Sequence, residues 1–218
     1  MSRWSVVPDV IPQTIATIDG QLVNPFTVKA TDGVFRVDTI AHALSNLCRY
    51  NGHTERFYSV AEHCLLVQLV VDVRATGAGL TSEQRAMLSF EALVHDAVEA
   101  YLGDIPAPFK KMPEFAAYRQ AEARLSSELR KWFGLAGDEP ELVRQIDVEI
   151  RGTERHWLMP ESRALAEWKT APILEWMECG TMTPQEAKHA WLTRFYDLRP
   201  DWYDRDWRDV TQWQMNQE

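Results

Sequence analysis

Cysteine is scarce. The 218-residue chain has three, Cys48, Cys64 and Cys179, too few and too scattered for a disulfide framework, and no CxxC pair on which a structural zinc knuckle could be built. Long apolar runs are also missing. No stretch approaches the ~20 residues of a membrane span, and the opening MSRWSVVPDVIPQ has neither the apolar core nor the cleavage-like site of a signal peptide. Basic residues are outnumbered, 23 Lys and Arg against 32 Asp and Glu, for a formal net charge of −9. Such a field repels nucleic-acid phosphates, so stable nucleic-acid binding is not expected. A small anion remains compatible with a few cations focused in one pocket. Together these absences imply a cytoplasmic protein with no membrane partner.

What is present suits one domain with short appendages. The hydrophobic fraction is 45%, enough for a substantial core. Residues 1–35 carry Pro8, Pro12, Gly20, Pro25 and Gly33 and read as an arm of loops, with a small hairpin at the favoured turn pair Asp19-Gly20. The helical period then dominates over 36–200. One helix runs through TIAHALSNLCRY behind Asp38, a second through about 59–75, and a third opens at TSEQ (81–84) and ends at Gly103, a natural C′ glycine. The three prolines of DIPAPFKKMP exclude regular helix there. Helices follow at about 114–133, 140–158 and from TPQEAK (183–188). Residues 201–218 form a Trp- and Asp-rich tail. The expected class is all-α, a helical bundle behind a short irregular or hairpin arm.

The third helix carries LVHDAVEAYLGD (93–104), where His95 and Asp96 stand side by side in an apolar run. Such groups are seldom buried unless paired or bound to a metal. Glu99 follows His95 by four and Asp96 by three, so a continuous helix brings it near their face. His63, ahead of the apolar run CLLVQLVV, and Asp147, beside the stripe of Leu142, Val143, Ile146 and Ile150, are the further candidate ligands. Two His and two Asp make a mixed nitrogen–oxygen site suited to Mn, Co, Zn, Fe or Mg.

The order H…HD…D, with FYSVAEHCLLV (57–67), HDAVEAYLGDIPAPFK (95–110) and the lead-in DTIAHALSNLCRYNGHT (38–54), resembles the HD-domain superfamily of metal-dependent phosphohydrolases. Within it the chain is similar to the nucleotide-directed branch of bacterial 5′-deoxynucleotidases and phage dATP triphosphohydrolases. The likeness implies an HD-domain bundle and a divalent metal held by His63, His95, Asp96 and Asp147, with Asp138, Glu149 and Glu154 competing for the last place. It implies that Glu99 handles protons and that Asp104 is a second acidic residue of the site. Lys110 is expected to face the phosphate, and Arg49, with Arg56 close by, to contact phosphate or base. His53, in the loop NGHT, is a further candidate substrate contact, with a loop-stabilising role as the other reading.

The implied substrate is a deoxynucleotide. The phage-like lead-in tilts the expectation slightly toward a dNTP cut to release triphosphate, against a dNMP cut to release phosphate. The rivals are a nucleotide-binding module without turnover and an HD phosphodiesterase. A homo-oligomer is expected, with Trp4 and the Trp202–Trp213 cluster over a subunit contact.

Overall fold

A helix that is apolar on every side has to be buried on every side. That is the position of α2 (Val60–Gly77) as far as Val71, beyond which Val73 is exposed, in a computed structural model that describes residues 13–160, 173–174 and 176–199. Val60, Ala61 and Cys64 of α2 pack into one core, with Ile40 and Leu44 of α1 (Val37–Asn46), Phe90 and Leu93 of α3 (Ser82–Val94), and Trp191 and Phe195. Val67, Val70 and Val71 face a second core with Val143, Ile146 and Ile150 of α7 (Glu141–Leu158). The remaining α-helices among the described residues are α4 (Glu99–Leu102), α5 (Ala107–Lys110), α6 (Ala116–Trp132) and α8 (Pro184–Leu198). None of the described helices is long and apolar enough to cross a membrane. Trp4 and the Trp202–Trp213 cluster lie outside the described residues.

Local chemistry sets the helix starts. The Ser59 hydroxyl accepts from the Glu62 N–H at 3.1 Å, and Thr81 with Gln84 and Thr183 with Glu186 form reciprocal capping boxes at α3 and α8. The arm forms the expected hairpin, with Ile15–Ala16 antiparallel to Leu22–Val23 and Gly20 in the left-handed region between them. Arg124 of α6 then ties the arm down by donating to the carbonyls of Val28 at 2.7 Å and Pro25 at 2.6 Å.

Three expectations need correction. The first helix ends at Asn46 rather than Tyr50, and Arg49–Gly52 form a separate 3₁₀ turn in which Tyr50 and Asn51 have φ of 56° and 53°. The proline-rich segment does hold a helical turn, α5, because its proline lies in the first turn, where no N–H is required. The third correction matters most: the helix does not run unbroken through the His-Asp pair. After Val94 the backbone tightens, with the Ala97 N–H donating to Val94 O at 3.0 Å and the Glu99 N–H to Asp96 O at 2.9 Å. Two side chains take up the displaced carbonyls. His95 Nδ1 donates to Ala92 O at 2.8 Å, and the indole N–H of Trp191 donates to Leu93 O at 3.1 Å.

Trp191→Phe leaves that buried Leu93 carbonyl without its indole donor. We expect a loss of about 1–3 kcal/mol in urea-induced unfolding. An unchanged midpoint and slope would show that the carbonyl finds another partner.

Candidate active site

α2 delivers His63 from the centre of the molecule, and the tightened turn after α3 delivers His95 and Asp96. One ligating atom from each of the three lies within 4.8 Å of the others. His63 Nε2 stands 3.4 Å from Asp96 Oδ2, and His95 Nε2 stands 3.2 Å from the same oxygen. Asp147 of α7 approaches through His63, with Oδ1 3.3 Å from Nε2. Its other oxygen accepts from Arg151 at 2.9 Å.

The far sides of the imidazoles decide what the near sides can do. Ala92 O can only accept, so His95 Nδ1 carries a proton; the Glu154 carboxylate, 2.7 Å from His63 Nδ1, imposes the same tautomer on His63. Each neutral ring then presents a bare Nε2. Both Nε2 atoms are buried and make no directed hydrogen bond. Two nitrogen lone pairs facing two carboxylates repel unless a cation stands among them. Donors about 2.1 Å from a shared ion stand about 3.0–3.4 Å apart; the two imidazole contacts to Asp96 and the His63–Asp147 contact fall in that range, while Asp147 stands outside the mutually close group of His63, His95 and Asp96. The residues present therefore fit a divalent metal, with the far-side hydrogen bonds orienting its ligands.

Without a metal, protons take its place. Burial and Arg49 push the His63 pKa down, but Glu154, Asp147 and Asp96 outweigh them and leave it well above the ordinary histidine value. His95 is likewise lowered by burial and raised further by Asp96, with a net rise. Burial raises Asp96 and Asp147, yet the adjacent imidazoles hold both well below the usual carboxylate range.

Glu154 is the residue whose importance is least visible in the sequence, where it stands only as a competitor for Asp147. It is fully buried. Besides His63, it accepts from the hydroxyls of Tyr50 at 2.5 Å and Tyr58 at 3.1 Å, and from Arg49 at 3.3 Å. Burial pushes its pKa up, but Arg49, His63 and Tyr50 bring it down to about 2. The available signal was spacing: Glu154 lies seven residues after Asp147 and four after Ile150, on the core-facing side of α7. The other competitors are excluded by position. Asp138 is exposed, and Glu149 is occupied by Arg74 and Gln145.

The remaining expected residues divide. Arg49 is buried, with its guanidinium 3.7 Å from Asp96 Oδ2. Glu99, also buried, has its Oε1 3.6 Å from Lys110 Nζ, while its Oε2 has no hydrogen-bond partner. Burial raises its pKa, Asp96 and Asp104 add to the rise, and Arg49 and Lys110 only partly oppose it, so it ends well above the usual carboxylate value. Asp104, past the Gly103 turn, is also raised by burial and Asp96 against Arg49. Lys110 is shared with Glu122 at 2.6 Å. His53 is exposed beyond the 3₁₀ turn, and no described contact brings its ring to the cluster. Arg56, the alternative to Arg49, pairs with Glu178 instead.

Residues 45–139 match the family model for the HD domain. The chain is 32% identical over 163 residues to the uncharacterised protein YfdR of Escherichia coli K12, an alignment covering 74% of this chain and 83% of the relative. It is 35% identical over 172 residues to an uncharacterised protein of Rhodobacter capsulatus, covering 74% of this chain and 84% of that one. The matched region holds His63, His95, Asp96, Glu99 and Lys110, and the chain belongs to the HD-domain family.

Proposed function

We propose that this protein hydrolyses the phosphate ester of a deoxynucleoside 5′-monophosphate, using a divalent metal held by His63, His95, Asp96 and Asp147. The observation that carries the reading is the pair of bare, buried Nε2 atoms facing Asp96 and Asp147. The deoxynucleotide rests on the likeness of segments 38–54, 57–67 and 95–110 to nucleotide-directed relatives. The monophosphate is favoured by the local charge. The cations that bear most on Glu99 and Asp104, the histidines aside, are Arg49 and Lys110, and each is already shared with a carboxylate. A triphosphate would ask for more.

The metal, when bound, lowers the pKa of a coordinated water and polarises the phosphoryl oxygen. The chain supplies the rest. Arg49 presents its guanidinium beside Asp96, where it can neutralise charge on non-bridging oxygens. Glu99, whose carboxyl burial and acidic neighbours push above the usual carboxylate range, is the group placed to donate a proton to the departing 5′ oxygen. Lys110 keeps the Glu99 carboxyl oriented and stabilises it after the proton leaves. Water adds its oxygen to phosphorus, the P–O5′ bond breaks, and a proton from that water returns Glu99 to its acid form; the products are the deoxynucleoside and inorganic phosphate.

The deciding assay is metal-supplemented turnover of a panel of dNMPs, dNTPs and NMPs, with phosphate and triphosphate detected separately. We expect phosphate from dNMPs. Triphosphate from dNTPs would shift the substrate to the alternative, and no turnover in any arm would sink the hydrolase reading. Glu99→Gln should keep Mn²⁺ affinity and lose ~10²–10⁴-fold in kcat, as for loss of a general acid; activity near that of the native protein would reduce Glu99 to a packing role. Asp96→Ala should bind no Mn²⁺. Because the raised histidines hold protons that a metal must displace, Mn²⁺ affinity should increase with pH. Calorimetry in buffers of different ionisation enthalpy reads the released protons, and a pH-independent affinity would contradict the ligand assignment.

A further inference from the structure

We infer that Glu154 is a positioning residue that couples the metal side of the site to its phosphate side, through His63 on one hand and Arg49 on the other. The inference rests on the reading of those two residues given above. The two carboxylate oxygens divide the work. Oε1 takes His63 Nδ1 at 2.7 Å and the Tyr58 hydroxyl at 3.1 Å, and lies 3.3 Å from Arg49 Nε. Oε2 takes the Tyr50 hydroxyl at 2.5 Å and a terminal nitrogen of Arg49 at 3.3 Å. One fully buried carboxylate thus selects which nitrogen of His63 is bare and fixes where Arg49 aims.

Stability alone does not account for this arrangement. A buried charge cluster is weak evidence of stabilisation, since apolar replacements of similar volume often do as well. The backbone beside it is strained as well. Tyr50 and Asn51 occupy the left-handed region consecutively, with φ of 56° and 53°, where non-glycine residues cost of order 1–3 kcal/mol and persist only if the surroundings over-determine them. The Tyr50 hydroxyl on Glu154 supplies that restraint. It holds the turn from which Arg49 projects into the site.

The amide of Glu154→Gln has the same size but turns two donors toward its neighbours. Where its NH₂ meets His63 Nδ1–H, the ring relieves the clash by moving its proton to Nε2, the atom needed for the metal. We expect Glu154→Gln to weaken Mn²⁺ binding, measured by electron paramagnetic resonance, by about 10–100-fold. It should also weaken inorganic phosphate binding to the Mn²⁺-saturated protein. Tyr50→Phe should weaken phosphate alone, because the His63–Glu154 bond survives. Val23→Ala, a buried core substitution in the hairpin arm, controls for lost stability and should move neither affinity. A folded Glu154→Gln protein with Mn²⁺ affinity within about twofold of native, against the loss anticipated for such a partner, overturns the inference.

Should that variant fail to fold, ¹⁵N spectra of the native Zn²⁺-loaded protein decide. A proton on His63 Nδ1 supports the role and a proton on Nε2 overturns it. Native protein that binds Mn²⁺ but turns over no nucleotide would remove the substrate reading and leave this role standing. Native protein that binds no Mn²⁺ would remove both.

Discussion

A carboxylate cut off from water must have its charge answered by the protein, and Glu154 is such a group. Its partners come from one short segment that lies far from it in sequence: Arg49 and Tyr50 in the 3₁₀ turn, Tyr58 just before α2, and His63 within it. None of these donors can move without leaving a buried charge short of a partner, at a cost of several kcal/mol. The packing of α7 against α2 is therefore also an electrostatic fit. The same helix brings Asp147 to the open face of the His63 ring while Glu154 holds the closed face.

The His-Asp pair shows a second form of the same constraint. A regular helix would point His95 and Asp96 about 100° apart. The tightened turn changes their relation, and its displaced carbonyls are satisfied by His95 itself and by Trp191 from α8. Binding chemistry and helix termination are thus one event at this point in the chain.

Much of this was legible in the sequence. The capping boxes at Thr81 and Thr183, the Asp19-Gly20 hairpin and the apolar α2 follow from local patterns, and the structure holds them. The convergence of His63, His95 and Asp96 was implied by the likeness of their motifs to HD-domain proteins, and the structure brings the three together. Three features were not legible, each because a long-range partner decides it. The break after Val94 depends on an indole from residue 191. The turn at Tyr50 depends on a hydroxyl partner more than 100 residues away. The partition of α7 carboxylates between one face of an imidazole and the other depends on the rotation of one helix against another, which no single-helix pattern records.

The double burial of α2 has a kinetic side. Amide protons in a helix with core on both faces exchange mainly when the whole domain opens, whereas a one-turn helix such as α5, with Ala107, Pro108 and Phe109 exposed, can unravel alone at small cost. His63 rides on the first kind of element and Lys110 on the second. The two sides of the site thus run on separate clocks: the donor-bearing wall opens only with the fold, while the lysine-bearing rim is held by local ties alone, Lys110 to Glu122 and Arg119 to the Met112 carbonyl.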